Sequence, residues 1–186
     1  MATTQQPATP TITQWRVDAS HTRVEFAVKH LMITTVRGHF AEVDGTVREN
    51  AADPTQSSIE VSMKAASVDT GVEQRDAHLR SPDFFDAEKF PSLTFRSTRI
   101  EQKADGEFKV TGDLTIHGVS KPVVLDVIEE GRGGDPWGGQ RAGFTATTKI
   151  DRRDFGLTWN QTLENTGVVV GTDVKITLDV ELVRQD

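Results

Sequence analysis

Apolar and polar residues alternate along most of this chain, which is the pattern of β-strands that bury one face. Near the start, Val24, Phe26 and Val28 alternate with Arg23, Glu25 and Lys29, and the same period is most regular over 174–182. Comparable segments lie at about residues 36–47, 59–63, 93–97, 108–116, 123–127 and 142–150. The short turns between them predict antiparallel neighbours and an all-β fold.

Irregularities in the alternation predict local features of the sheet. Gly38 and Gly112 lie inside strand patterns, where a glycine marks a bend or a close approach of another group. The inward-facing positions change from even to odd residue numbers near 41–42, which predicts a bulge. The dipeptide at 117–118 predicts a tight turn between two strands.

The stretch 68–95 interrupts the alternation, and it predicts one substantial helix over 72–81. Either Asp69 or Thr70 can accept the first free N–H groups of that helix. Pro82 ends it, because proline has no N–H to donate and pushes the preceding residue out of the helical region.

The number of strands and the residues on their inner faces predict a closed barrel with internal space. About eight antiparallel strands with one inserted helix close most simply as a barrel, because closure leaves no free edge. Ala142 and Ala146 stand among larger inward residues, and small inward side chains leave room for one small ligand. Phe84, Phe85 and Phe90 follow the helix, and we expect them to close one end of the core.

Composition narrows the class of partner. The chain has 21 basic and 28 acidic residues, a net charge of −7, which argues against nucleic acid as a ligand. With no cysteine, a disulfide, a thiolate nucleophile and a cysteine metal site are all excluded. No run approaches the roughly 20 apolar residues that cross a bilayer, so we do not expect an integral membrane protein.

The first residues differ in composition from the rest. Residues 1–14 are rich in Thr, Gln, Pro and Ala, so we expect a disordered tail ahead of one domain over 15–186. This segment lacks the basic and apolar regions of a secretory signal. A cytoplasmic location is therefore predicted, with a periplasmic one only if the sequence is a processed form.

Five histidines raise the question of a metal or catalytic site: His21, His30, His39, His78 and His117. They form no HExxH or HxH pair and have no cysteine beside them, so structural roles are favoured and no metal is expected. Ser20 and His21 are adjacent, and neighbours on a strand point to opposite faces, so we expect no nucleophile–base pair. The sequence thus predicts no catalytic residue.

The predicted helix carries the best candidates for contact with a polar ligand head. These are His78 together with Arg75 and Arg80, because all three can donate hydrogen bonds to a phosphate or a quinone oxygen. The structural alternative is that Arg75, Asp76 and Asp83 tie the helix to the barrel rim by ion pairs. That alternative is favoured, since ion-pair networks are the commoner use of such clusters.

The segment RRDFGL at 152–157 has two interpretations. It can be a basic clamp on a ligand head group. The alternation of Phe155, Leu157 and Trp159 equally predicts a strand that enters the core, and this second interpretation is favoured.

Several motifs stand in a fixed order along the chain. They are SHTRVEF at 20–26, VKHL at 28–31, VRGHF at 36–40, RDAHL at 75–79, DFFD at 83–86, FPSLTF at 90–95, GDLTIHGV at 112–119 and RDFGL at 153–157. In this order they resemble the YceI-like family of bacterial polyisoprenoid-binding proteins, over about residues 15–183. The resemblance implies a lipocalin-like extended barrel that holds a long isoprenoid chain, such as a polyprenyl phosphate or quinone, in an apolar tunnel.

The same resemblance carries further expectations. Many members of the family are similar to secreted periplasmic proteins, whereas this chain shows no signal segment. The pair Asn165-Thr166 stands where the resemblance implies a more glycine-rich turn. A homodimer is also implied by the resemblance.

We therefore predict a protein that binds a long-chain isoprenoid lipid for sequestration, transport or sensing, and that is not an enzyme. A small hydrolase or isomerase that uses His78 and a carboxylate on an apolar substrate is one alternative. A barrel packed with its own side chains that binds a partner by a surface patch is the other. No cofactor is expected, although an isoprenoid can co-purify.

Predicted contacts of the lipid divide into two groups. The head group is assigned to Arg75, His78 and Arg80. The apolar tail is assigned to Phe26, Val28, Met32, Phe40, Ile59, Met63, Phe84, Phe85, Phe95, Leu114, Phe144, Ala146, Phe155 and Trp159.

Overall fold

The computed structural model describes residues 11–162 and 167–185, and in these ranges it contains one α-helix and eleven strands. The helix, α1, spans Glu73–Arg80. The strands are β1 Ile12–Val17, β2 Arg23–His30, β3 Thr34–Phe40, β4 Val43–Asn50, β5 Ser58–Lys64, β6 Val68–Asp69, β7 Ser92–Ala104, β8 Glu107–Ile116, β9 Val119–Gly134, β10 Gln140–Asp151 and β11 Val170–Arg184. Short 3₁₀ turns span Pro54–Gln56, Ala65–Ser67 and Arg152–Phe155.

These strands occupy the positions of a closed, antiparallel, eight-stranded barrel. β1 and β2 follow each other along the same partner, because Trp15 pairs with Arg184 and Val24 pairs with Leu178 of β11. β4 and β3 continue the next position, and β5 and β6 the one after it. β7 to β11 fill the remaining positions, and the pairing of β1 with β11 closes the ring. The predicted fold class is confirmed.

The predicted turn lies where the sequence places it, and a break between two strands stands at the position of the predicted bulge. β3 ends at Phe40 and β4 begins at Val43, so residues 41–42 interrupt this barrel position. At 117–118 both residues have positive φ angles, 53° and 73°, and join β8 to β9. This is the geometry of a tight hairpin turn, in which the strand twist requires left-handed backbone.

Gly38 and Gly112 are positions of close approach. A Cβ atom on Gly38 would lie 2.4 Å from Cζ of Phe26, and one on Gly112 would lie 2.4 Å from Cζ of Phe95. Two aromatic rings inside the barrel therefore pack directly on the backbone of a neighbouring strand. This confirms the prediction made from glycines within strand patterns.

α1 occupies the predicted range but begins differently. Its N-cap is Val72, which makes no side-chain cap, so the prediction of Asp69 or Thr70 as the cap is wrong. Instead the buried carboxylate of Asp76 accepts hydrogen bonds from the backbone N–H of Thr70, at 2.9 Å, and from its hydroxyl, at 2.5 Å. A side chain of the helix thus holds the preceding loop.

The N-terminal boundary also changes. β1 begins at Ile12 and pairs with β4 over residues 12–16, so residues 12–14 belong to the barrel and not to a tail. The backbone hydrogen bonds of the ladder favour order in a segment whose side chains bury little. Residues 1–10 and the pair Asn165-Thr166 lie outside the described residues. Within the described ranges, every helix is too short or too polar to cross a membrane.

Candidate functional site

A cavity of about 680 Å³ occupies the interior of the barrel. Its wall is built by alternate residues of the strands, so that Val24, Phe26 and Val28 of β2 all face it. Ala142 and Ala146 of β10 also line it, as their small size suggested. The volume is that of pockets that hold small organic ligands, and an aliphatic and aromatic wall favours an apolar one.

Most of the residues assigned to a lipid tail line this cavity. They are Phe26, Val28, Phe40, Ile59, Met63, Phe84, Phe85, Phe95, Leu114, Phe144, Ala146 and Trp159. The structure therefore brings together side chains from β2, β3, β5, β7, β8 and β10 and from the segments after α1 and β10. Their contact with a lipid stays a prediction.

Met32 lies outside the cavity wall, contrary to its assignment. Leu31 and Met32 lie in the three-residue turn between β2 and β3, with φ angles of 52° and 58°. The alternation of β2 ends at His30, so the turn carries the Met32 side chain outward, where it is 60% exposed.

Phe155 is also absent from the wall, although it is 1% exposed and belongs to the core. It ends the 3₁₀ turn Arg152–Phe155, so the strand predicted over this segment is wrong. Gly156 follows in the left-handed conformation, with φ of 76°, and reverses the chain direction. Leu157 and Trp159 then return to the cavity wall.

An aromatic cluster of His78, Phe84 and Trp159 lies at the end of the cavity nearest α1, which we call the helix end. The ring centres of His78 and Trp159 are 4.6 Å apart, and those of His78 and Phe84 are 5.1 Å apart, both in edge-to-face geometry. Nε2 of His78 lies 2.8 Å from a carboxylate oxygen of Asp83. The His78 side chain is 38% exposed, so it connects the cavity wall with solvent.

The two arginines of α1 hold the helix in place. Arg75 lines the cavity, but its guanidinium donates to the hydroxyl of Thr70, at 2.7 Å, and to the Thr70 carbonyl, at 3.0 Å. Arg80 donates to the carbonyls of Ala66, at 3.0 Å, and Val68, at 3.5 Å, and lies outside the wall. The structural alternative is thus realised by hydrogen bonds to the preceding loop rather than by the ion pairs expected for Arg75.

The opposite end of the cavity carries a charged cluster that sequence reasoning missed. Arg132 pairs with Glu49 at 2.8 Å and with Glu129 at 2.6 Å, and its guanidinium lies 5.6 Å from the centre of the Trp15 ring. The hydrogen bonds that Arg132 donates to Glu129 raise the pKa of Arg132 above its ordinary value. Glu130 is an extra residue in the β9–β10 register, and this bulge brings both Glu129 and Arg132 onto the wall.

Asp18, Ser20 and His21 meet on the turn between β1 and β2, outside the cavity wall. The Ser20 hydroxyl donates to Asp18 at 2.6 Å, and Nδ1 of His21 is 3.0 Å from the other Asp18 oxygen. The prediction that Ser20 and His21 point apart assumed a strand and is wrong. Nδ1 of His21 is also the nitrogen that contacts Ser20, whereas a relay to a nucleophile needs both ring nitrogens.

The same turn could suggest a metal site, because Asp18, His21 and Glu181 place one ligand atom each within 4.8 Å of one another. Arg141, however, donates to Asp18 at 2.8 Å and also to Glu181. Hydrogen bonds from Ser20, His21 and Arg141 lower the pKa of Asp18 well below its usual value. The carboxylates therefore hold a guanidinium, which ties β10 to β11 and to the β1–β2 turn.

Known proteins share the sequence pattern and the fold of this chain. The family described as the YceI-like domain matches residues 15–182. A UPF0312 protein of Vibrio cholerae serotype O1 is 42% identical over 138 residues, which are 74% of this chain and 73% of that protein. The crystal structure of BcnA from Burkholderia cenocepacia superposes with a TM-score of 0.78 at 25% identity, covering 89% of this chain and 98% of that chain.

A further solved structure shares the fold at lower identity. It is described as a polyisoprenoid binding domain from Saccharophagus degradans, implicated in plant cell wall breakdown. Its TM-score is 0.64 at 16% identity, and the match covers 90% of this chain and 97% of that one.

Proposed function

This chain belongs to the YceI-like family, and we propose that it binds one long-chain isoprenoid lipid, of the polyprenyl phosphate or quinone type, inside its barrel. The observation that carries the proposal is the cavity of about 680 Å³ with its aliphatic and aromatic wall. The polyisoprenoid binding domain of Saccharophagus degradans has the same fold, which supports the same class of ligand.

The driving force is removal of apolar surface from water. Each Å² of apolar area that a prenyl tail buries is worth about 25 cal/mol, so a long tail gains more than a compact ligand. Phe26, Phe95 and Phe144 come from different parts of the wall and can contact successive units of one chain. Met63 adds a flexible thioether that adapts to a branched tail.

Binding is better supported than turnover. An enzyme site needs titratable groups that converge on one point in the cavity. Here His78 is hydrogen-bonded to Asp83 at the helix end, while Arg132 is paired with Glu49 and Glu129 at the opposite end. The wall between these ends is mostly apolar. The hydrolase or isomerase alternative therefore lacks a group of titratable side chains that converge on one substrate atom.

The packed-barrel alternative is also less well supported. A barrel filled by its own side chains would leave little internal volume, because protein interiors are close-packed. A cavity of about 680 Å³ is far larger than the voids of such a core. The choice between sequestration, transport and sensing stays open to experiment. The homodimer and the cytoplasmic location also stay predictions.

Native mass spectrometry of the purified protein tests the proposed function. We expect an adduct of one lipid per chain, which organic extraction and fragmentation identify as prenyl-based. Protein stripped of lipid should also take up added geranylgeraniol and return it unchanged. Protein that carries no lipid and takes up none would contradict the proposal, and chemical conversion of the added prenol would favour the enzyme alternative.

A further inference from the structure

Arg152 is a charged side chain buried at the helix end of the cavity. It begins the 3₁₀ turn after β10, is 4% exposed and lines the cavity. Within the described residues its guanidinium donates to four backbone carbonyls: Gly171 at 2.8 Å, Leu157 at 2.5 Å, Trp159 at 2.9 Å and Val170 at 3.3 Å.

The charge of Arg152 has no carboxylate partner among residues 11–162 and 167–185. The neighbouring carboxylate of Asp151 is engaged by Arg153, with contacts of 2.5 Å and 3.0 Å. Burial lowers the pKa of Arg152 from its ordinary value, as expected for a cation removed from water. An arginine nevertheless stays protonated, so the cavity wall carries a positive charge.

The hydrogen-bonding capacity of Arg152 also exceeds what these carbonyls use. A guanidinium has five N–H groups, and the carbonyls of the described residues accept four bonds from it. One N–H of Nη2 thus has no acceptor among residues 11–162 and 167–185, and the side chain that carries it lines the cavity. Carbonyl dipoles replace only part of the hydration that a buried cation loses, so an anion placed there gains both charge and a hydrogen bond.

The opposite end offers no comparable site. Arg132 is neutralised by two carboxylates, Glu49 and Glu129, and Asp105 adds a further acidic group to the wall. An acidic head group would meet net negative charge at that end. The charges at the two ends thus define one orientation for an acidic lipid.

We propose that Arg152 binds the acidic head group of the lipid, a phosphate monoester, at the helix end, with the prenyl tail directed toward Arg132. This inference rests on the proposed function and adds the class of head group and its place. It assigns the head group to the segment that sequence patterns left open as a basic clamp. Arg75 and Arg80, the arginines first assigned to the head group, donate instead to the loop before α1.

The test compares two ligands with the same tail, geranylgeranyl phosphate and geranylgeraniol, on lipid-free protein. We expect the wild type to bind the phosphate on the order of tenfold more tightly, the strength of one charge-assisted hydrogen bond. Arg152→Gln should lose this preference and keep its affinity for the alcohol. Arg132→Gln is the matched control at the other end and should keep the preference.

The outcomes separate the two proposals. If neither ligand binds the wild type, the proposed function fails. If both bind equally well, or if Arg132→Gln loses the preference while Arg152→Gln keeps it, the prenyl cavity stands and the role of Arg152 is overturned.

Arg152→Gln removes several buried hydrogen bonds, so a second measurement on the wild type covers the case in which the variant does not fold. The guanidinium ¹H–¹⁵N resonances of Arg152 should shift with geranylgeranyl phosphate and much less with geranylgeraniol. Equal responses to the two ligands would overturn the inference.

Discussion

Gly38 lies so close to Phe26 that an added Cβ atom would be 2.4 Å from Cζ of that ring, which itself lines the cavity. Gly112 stands in the same relation to Phe95, but there the added atom would also be 2.6 Å from the carbonyl oxygen of Arg96. The tip of a ring beside a cavity can move inward, whereas a backbone carbonyl in a sheet cannot.

These two glycines give a paired prediction. Gly112→Ala should lower the free energy of unfolding by about 1–3 kcal/mol, because the overpacked backbone has no space to yield. Gly38→Ala should cost less and should reduce the amount of retained lipid, because Phe26 moves into the cavity. Urea unfolding and lipid extraction of both variants measure this, and a larger stability loss for Gly38→Ala would contradict it.

Ala146 tests whether the cavity is the ligand site. Ala146→Phe should reduce lipid retention with little loss of stability, since the new ring occupies cavity volume. Ala65 is the control, because it is 0% exposed and lies outside the cavity wall. Ala65→Phe should overpack the core and cost about 1–3 kcal/mol or more. Thermal unfolding and native mass spectrometry report both effects; a strongly destabilised Ala146→Phe would count against free space at that position.

Arg141 contributes to the way in which folding stability depends on pH in acid. Its hydrogen bonds help to lower the pKa values of Asp18 and Asp135 below the ordinary 3.8. A carboxyl whose folded-state pKa is depressed adds stability above its unfolded-state pKa, and this contribution is lost as the pH falls toward the folded-state value. Stability should therefore drop below about pH 4, where the unfolded chain takes up protons more readily.

Arg141→Met should lower stability at neutral pH and make the drop below about pH 4 shallower, because the two carboxyl pKa values return toward normal. Urea unfolding from about pH 7 to pH 2.5 measures this change. Arg16→Met, which removes an exposed ion pair with Asp44, should leave the curve almost unchanged. If Arg141→Met lost stability below about pH 4 as steeply as the wild type does, Arg141 would not be the cause of the lowered carboxyl pKa values.

Substitutions in the β2–β3 turn should stabilise the protein. Leu31 and Met32 hold φ angles of 52° and 58°, a conformation that costs ordinary L-residues roughly 1–2 kcal/mol each and that Asn-Gly adopts readily. The double variant Leu31→Asn/Met32→Gly should raise the free energy of unfolding by about 1–2 kcal/mol. Lipid retention should not change, because Met32 is outside the wall; a loss of lipid would restore Met32 as a contact.

Much of the fold and of the cavity wall could be predicted because the information is local. Strand alternation places Phe26, Ile59 and Ala146 on one face, and the side-chain period of two residues leaves no other choice once a core exists. Gly38 was recognisable as a position of close approach for a similar reason, since a glycine within a strand loses packing unless a neighbour needs the space.

The sequence by itself thus determined the class of fold, the position of α1 and the apolar character of the interior. Only the tertiary structure decided which charged side chains line the cavity. Glu129 and Arg132 share the wall only because the partner strand creates a bulge at Glu130. Arg152 is buried only because carbonyls of β11 and of the segment after its turn receive its guanidinium. Local periodicity cannot encode these placements, because each depends on hydrogen bonds to residues distant in the chain or in a turn that breaks the period.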